Sequence, residues 1–172
     1  MLGDKFEVGN FGKSSAYVLP HESPFNTYEK NAENPALSYK NTAEYSASIS
    51  LKPDVVIIML GSNDIRNING EESIEAVKEA ILDIAGIYEA QPSVKKVYIA
   101  TSIPFTSSNY GYQMTTGYLQ SVQALAAEEG GYELIDVFGM TADYYDVTQH
   151  YTSDRVHPND NTVGAIATAV CS

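Results

Sequence analysis

The chain has 172 residues, of which 44% are hydrophobic and 19% are charged, a composition typical of one globular domain with its own core. Its formal net charge is −12, and its ten Lys and Arg residues are too few for the basic surface with which nucleic-acid-binding proteins contact phosphates. The longest apolar run, Val55 to Leu60, has the length of a strand and not of a membrane span. We therefore predict a single domain over residues 1–172, with no nucleic-acid partner and no membrane span.

Strand-like and helix-like segments alternate along the chain, as they do in proteins built on a parallel sheet. Runs rich in β-branched residues predict strands, and apolar residues at three- and four-residue spacing predict helices. In chain order, we predict a strand at Lys5–Asn10, a loop at Pro20–Pro35, a helix at Thr42–Ser50, a strand at Asp54–Leu60, a helix at Glu71–Ala90, a strand at Lys96–Ala100, a helix at Gln113–Glu129, a strand at Tyr132–Asp136 and a helix at Asn161–Val170. The strand at Asp54–Leu60 is continuously apolar, which predicts burial on both of its faces. The fold class is therefore α/β.

Polar residues cluster where three of the predicted strands end. These clusters are Asn10–Ser15, Gly61–Asn67 and Thr101–Tyr110, and a fourth, Ser153–Asn159, precedes the last helix. In open parallel sheets, ligands bind in the loops at the carboxyl ends of the strands. The sequence therefore predicts a ligand site where these loops meet.

Asp154 and His157 are three residues apart in the fourth cluster. A general base at neutral pH needs an imidazole held in one tautomer, and a carboxylate that accepts from its ring N–H holds it so. The spacing corresponds to one turn, which allows both side chains to face one pocket. A helix-capping Asp and a surface His give the same pattern, so these two residues alone do not decide between the interpretations.

Two turns supply candidate donors for a negatively charged oxygen. Gly61 permits a tight turn at the exit of a strand, and Asn63 can direct its side-chain NH₂ at a developing oxyanion. In the segment Asn10–Ser15, Gly12 and two serines form a small-residue turn whose backbone N–H groups suit an anion. Ordinary turns also favour these residue types, so each motif has a purely structural alternative.

Together, these blocks resemble the SGNH (GDSL-like) hydrolases over essentially the whole chain. The resemblance is carried by KPDVVIIMLGSND at 52–64, by DRVHPN at 154–159 and by NFGKSS at 10–15, in the order and spacing of that family. It is close to the lysophospholipase L1-like and acetyl-ester hydrolase subgroup. It implies a three-layer α/β/α, flavodoxin-like fold with a mostly parallel sheet. It also implies a hydrolase of short-chain or acetyl esters, acylated carbohydrates among them, that uses no cofactor.

The resemblance implies a role for each matching residue. His157 corresponds to the catalytic base, Asp154 to its carboxylate partner and Asn63 to the oxyanion-hole Asn. Ser15 stands where the family has a Gly whose backbone N–H donates to the oxyanion. The supporting turn residues are Asn10, Gly12, Gly61 and Asp64.

The family's nucleophile, the Ser of a G-D-S motif, is missing from this sequence, because the only Gly-Asp pair, Gly3-Asp4, is followed by Lys5. We expect that the family's usual first strand and helix are absent, a unit of about 25 to 45 residues. Ser14 or Ser15 is then a candidate substitute nucleophile. Loss of a central strand exposes two strand edges. Direct pairing of the neighbouring strands, a homodimer or a separate fragment would cover them, and we favour a homodimer or a rearranged sheet.

Two further interpretations remain at this point. The chain is either an active esterase or a catalytically impaired, truncated relic that keeps the fold and a ligand site. A metal site made of His157, Asp154 and His150 is disfavoured, because no other suitably spaced His or Cys is present. The residues Met1 to Lys5 show no signal peptide, and the compartment stays open because a leader could precede the missing segment.

Overall fold

The computed structural model describes residues 6–26, 34–104, 118–141, 152 and 157–171. In chain order, its helices and strands are α1 (Ala43–Ser50), β1 (Val55–Ile58), α2 (Glu71–Glu89), β2 (Lys96–Ala100), α3 (Tyr118–Gly130), β3 (Glu133–Ile135), α4 (Val137–Met140) and α5 (Asp160–Val170). Short 3₁₀ segments lie at Pro35–Leu37, Tyr39–Asn41 and Asp64–Asn67. The predicted positions of α1, α2, β2, β3 and α5 are confirmed to within one residue at each end.

The described sheet contains three strands in the order β1-β2-β3, and both pairs are parallel. Val55 aligns with Lys96, and Tyr98 aligns with Glu133. Parallel neighbours need a crossover connection, which α2 and α3 provide. The α/β class with a parallel sheet is therefore confirmed.

Helix α2 forms because its apolar residues recur at helical spacing and its first turn carries Glu71 and Glu72, which favour a helix N-terminus. Before it, the hydroxyl of Ser73 accepts hydrogen bonds from the backbone N–H groups of Asn69 and Gly70. Helices α2 and α3 contact each other and cover one face of the sheet. The buried core on this face contains Val77, Ile81, Ile84, Leu119, Val122, Ala126, Ile58, Val97 and Ile99.

A second, smaller core lies at the carboxyl end of β2. It contains Ala100, Ile103, Val137 and Ala169, with partly buried side chains from β3 and α5 packed around it. Asn159 caps α5, since its side-chain oxygen accepts from the backbone N–H groups of Asn161 and Thr162. The residues of α5 in this second core, Ile166, Ala169 and Val170, belong to the C-terminal half of the helix, and His157 precedes its first turn.

The prediction that the strand after Asp54 is buried on both faces is wrong. Val55, Ile57 and Met59 alternate along β1 and its extension, and they are 50%, 43% and 40% exposed. Continuous hydrophobicity marks a strand that can be covered on both sides. In the part of the chain that the structure describes, however, the second core covers only the ends of β2 and β3 on this face.

The predicted strand at Lys5–Asn10 is also wrong for the residues described. Residues 6–10 have no regular secondary structure, and Phe6 and Val8 are 59% and 76% exposed. A strand is stable only when its backbone pairs with a neighbour, and a local pattern cannot supply that neighbour. Residues 27–33 of the predicted loop and 113–117 of the predicted helix lie outside the described residues. Among the helices that the structure describes, none has the length and hydropathy of a membrane-crossing helix.

Candidate active site

The loop after β1 forms a tight turn at the carboxyl edge of the sheet. The backbone N–H of Asp64 donates to the carbonyl of Gly61 at 2.9 Å, which places Ser62 and Asn63 at the centre of the turn. Gly61 has a φ of +107°, and a Cβ there would lie 3.2 Å from the side chain of Leu119. Glycine is required at this position both for its conformation and for its close packing.

Asp64 joins this turn to a segment far away in sequence. Its carboxylate accepts hydrogen bonds from the backbone N–H of Val18, at 2.9 and 3.1 Å, and from that of Leu19, at 3.1 Å. The side chain is fully buried. Burial raises the pKa of Asp64 from 3.8 to about 7, although the hydrogen bonds from Val18 and Leu19 act in the opposite direction.

Asn63 is held by the same segment. Its side-chain Nδ2 donates to the carbonyl of Ala16 at 2.8 Å. An Asn amide carries two N–H groups, and this contact uses one of them. The contact fixes the plane of a partly exposed amide, so the remaining N–H has a defined direction, and Ala16 is the residue that follows Ser15.

The loop that contains Ser14 and Ser15 is a turn closed by the backbone N–H of Ala16, which donates to the carbonyl of Lys13 at 3.2 Å. Both serines are exposed, and Ser15 has a φ of +65°. The left-handed conformation explains why a glycine would suit this position. Two contacts hold the loop. The side-chain oxygen of Asn10 accepts from the backbone N–H of Gly12 at 2.9 Å, and Lys13 pairs with Glu44 of α1 at 2.8 Å.

His157 lies just before α5 and is exposed. Its backbone carbonyl accepts from the N–H and the hydroxyl of Thr152, at 2.9 and 3.2 Å. Asp154 and His150 lie outside the described residues, so the predicted pairing of Asp154 with His157 stays a prediction. The structure thus brings Ser15, Asn63 and Asp64 together and places His157 at the start of the last helix.

Sequence reasoning missed a buried polar group beneath the turn. Gln123 of α3 accepts from the backbone N–H of Ser102 at 2.7 Å, and it donates to the carbonyl of Leu60 and to the hydroxyl of Ser102. Gln120 donates to the carbonyls of Ser102 and Ile103, both at 3.1 Å. In the sequence, Gln120 and Gln123 are visible only as two glutamines three residues apart on a helix that is otherwise largely apolar in this stretch.

The described residues contain no group of three or more His, Cys, Asp or Glu side chains close enough to hold a metal ion. His21, the other described histidine, lies with its Nδ1 3.4 Å from the hydroxyl of Tyr17.

A parallel sheet with polar turns at its carboxyl edge defines an α/β protein with a candidate ligand site at that edge. The chain belongs to the GDSL-like lipase/acylhydrolase family, whose model matches residues 25–162. The match includes the positions of Asn63, Asp154 and His157, and the turn with Ser14 and Ser15 precedes it.

Similar proteins include an acetylxylan esterase known from its sequence and two proteins of known structure. The chain is 25% identical, over 190 aligned positions, to an acetylxylan esterase of Xylanibacter ruminicola, covering 100% of this chain and 36% of that protein. The fold is similar to that of LAE5, an alpha/beta hydrolase from the metagenome of Lake Arreo, with a TM-score of 0.55 and 25% identity over 70% of this chain and 59% of the other. It is also similar to Axe2, an acetylxylan esterase of Geobacillus stearothermophilus, with a TM-score of 0.51 and 23% identity over 71% and 59% of the two chains. The chain therefore spans about a third of the first relative and three fifths of the two solved chains.

Replacing Ser15 by glycine should stabilise the protein. The left-handed backbone of Ser15 disfavours any residue with a Cβ, so we expect S15G to raise the free energy of unfolding by about 0.5–1 kcal/mol in urea denaturation. S14G is the matched control, because Ser14 does not have a positive φ. There, glycine adds only freedom to the unfolded chain and should destabilise. Equal effects of the two substitutions would contradict the strained geometry at Ser15.

Asp64 should make stability depend on pH. Because its folded pKa is raised to about 7, the folded state retains a proton that the unfolded state loses above its ordinary pKa of 3.8. The free energy of unfolding of the wild type should therefore fall as pH rises between these two values. D64N cannot ionise and should show a smaller fall. D54N, at an exposed carboxyl, should retain the slope of the wild type. Parallel curves for wild type and D64N in urea denaturation would show that Asp64 does not contribute.

Proposed function

We propose that the chain is an ester hydrolase that acts by acyl transfer on short-chain or acetyl esters. Asn63 and the backbone N–H of Ser15 form its oxyanion hole, His157 is the base, and Asp154 orients His157. The observation that carries the proposal is the contact between the Asn63 amide and the Ala16 carbonyl. The contact holds the Asn63 side-chain amide against Ala16, the residue that follows Ser15, in a chain of an acylhydrolase family.

The reaction follows from these roles. A serine hydroxyl attacks the ester carbonyl while His157 takes its proton, and the negative charge that develops on the carbonyl oxygen is stabilised by the two N–H donors. The alcohol leaves with the proton from His157. Water then repeats the sequence on the acyl-enzyme and releases the acid. Donors held before the reaction, as the Asn63 amide is, stabilise the transition state without a reorganisation cost.

Ser14 and Ser15 are the proposed substitute nucleophiles. Both lie exposed in the turn closed by the Ala16 N–H, one or two residues from the carbonyl that Asn63 contacts. A serine can supply both the attacking hydroxyl and an oxyanion N–H, as serine proteases show, so the two roles of Ser15 are compatible.

The proposed substrate is a neutral acetyl ester, with acylated carbohydrates as the favoured class. The similarity to acetylxylan esterases supports the acetyl group and the sugar. The net charge of −12 favours a neutral alcohol portion over an anionic one.

Substitution of Asn63 should reduce turnover strongly. Loss of one oxyanion donor lowers kcat by about 10²–10³-fold, so we expect N63A to show this loss on p-nitrophenyl acetate. N69A is the control, since Asn69 is exposed on the following loop and its described contact uses the backbone N–H. Equal kcat values for N63A and wild type would contradict the proposed oxyanion hole.

Covalent labelling should identify the nucleophile. A fluorophosphonate reacts with an activated serine, and peptide mass spectrometry should locate the adduct at Ser14 or Ser15, with loss of labelling in S14A or S15A. An adduct elsewhere would exclude both candidates. Absence of both labelling and turnover would instead support the alternative that the chain is an inactive relic with a retained ligand site.

We also propose a homodimer that covers the open face of β1. Val55, Ile57 and Met59 form an exposed apolar stripe about 13 Å long at the end of the described sheet, whereas parallel sheets are normally covered on both faces. A second copy supplies the same stripe about a two-fold axis, so that the two stripes bury each other.

The dimer should be visible by light scattering after size exclusion, with a mass that depends on protein concentration. I57K should be monomeric because it places a charge within the stripe. L134K is the matched control, since Leu134 is 41% exposed on the opposite face of the sheet. A wild type that is monomeric at every concentration would contradict the proposal.

A further inference from the structure

The turn at the carboxyl end of β1 carries a second polar side chain beside Asn63. Ser62 is partly buried, and its hydroxyl oxygen lies 3.3 Å from that of Ser102, which follows β2. Ser102 is 3% exposed and Gln123 is 1% exposed, so the directions of their hydrogen bonds are constrained by the need to satisfy every buried polar atom.

The amide of Gln123 has only one orientation that satisfies its contacts. Its oxygen must face the backbone N–H of Ser102, because only an oxygen can accept that bond, which is 2.7 Å long. Its two N–H groups are then directed to the carbonyl of Leu60 at 2.7 Å and to the hydroxyl oxygen of Ser102 at 2.9 Å.

This orientation determines the direction of the next hydrogen bond. The oxygen of Ser102 accepts from Gln123, and its own hydrogen needs an acceptor. In the described part of the chain, the hydroxyl oxygen of Ser62 is the acceptor recorded for it. A buried hydroxyl without an acceptor is costly, so Ser102 donates and Ser62 accepts. The hydrogen of Ser62 is consequently left to donate to a molecule at the carboxyl edge of the sheet.

We propose that Ser62 is a substrate-binding residue whose hydroxyl donates a hydrogen bond to a hydroxyl oxygen of the alcohol portion of the ester, with Ser102 and Gln123 setting its direction. This inference rests on the proposed esterase function. If the acyl carbonyl oxygen is held by Asn63 and Ser15, an acetyl group has no further acceptor. The remaining acceptors therefore belong to the alcohol, and a polyol or sugar supplies them where a simple alkyl alcohol does not.

Two esters that differ in their alcohol test the assignment. Glycerol monoacetate carries free hydroxyl groups, and ethyl acetate carries none. One hydrogen bond corresponds to roughly a three- to tenfold change in affinity or rate. We expect S62A to lower the ratio of kcat/KM for glycerol monoacetate to kcat/KM for ethyl acetate by this factor, through a higher KM for glycerol monoacetate. S62T, which keeps the hydroxyl, should restore most of the difference. S102A should give a smaller loss of the same selectivity, because Ser62 then loses its imposed direction.

A binding measurement separates this inference from the esterase proposal. In NMR titrations with glycerol monoacetate, the backbone amide signals of Ser62 and Asn63 should shift, and S62A should weaken binding three- to tenfold. If turnover is absent but S62A weakens binding, the assignment of Ser62 stands and the catalytic proposal fails. If turnover is normal and S62A alters neither the ratio between the two esters nor the binding, the assignment of Ser62 is wrong and the catalytic proposal stands.

Discussion

The carboxylate of Asp64 and the backbone N–H groups of Val18 and Leu19 join two segments that are 45 and 46 residues apart in the chain. A hydrogen bond of this kind contributes about 0.5–1.5 kcal/mol, and the bonds from both N–H groups to one buried side chain together hold a loop that has little regular structure of its own. They also offset part of the cost of burying a carboxyl group completely. The Asn63 amide and the segment that follows the turn of Ser14 and Ser15 are brought together by this link, because Asn63 directly precedes Asp64 and Ser15 lies three residues before Val18.

One face of the described sheet is covered by helices, and the other face is partly exposed. Helices α2 and α3 bury the first face against Ile58, Val97 and Ile99, whereas on the other face Val55 and Ile57 of β1 remain exposed. Gln123 belongs to helix α3 on the covered face, and its hydrogen bonds hold the carboxyl edge where the candidate site lies. The proposed chemistry and the proposed association between copies thus depend on different parts of the same sheet, which is why substitutions on β1 and in the turns test them separately.

Much of the fold was predictable because its signals are local. The helical spacing of Val77, Ile81 and Ile84, and the β-branched runs of β1 and β2, depend only on near neighbours in sequence. The two wrong predictions, a strand at Lys5–Asn10 and burial of β1 on both faces, each required knowledge of a partner element. Within the candidate site, Asn63, Asp64 and His157 were predicted from their motifs. Gln123 and Ser102 were not, because polar residues on an otherwise apolar helix give no indication of what they contact.

The sequence by itself determined the α/β class, the order of its elements and the family, since these follow from periodicity and from motifs with defined spacing. It also identified which residues have the chemistry of a base, a carboxylate partner and an oxyanion donor. The tertiary structure alone decided that Asn63 contacts Ala16, that Asp64 is buried with a raised pKa, that Ser15 has a left-handed backbone and that the hydroxyl groups of Ser62 and Ser102 lie within hydrogen-bond distance of each other. These properties depend on distances and burial between segments far apart in the chain, which a linear pattern does not contain.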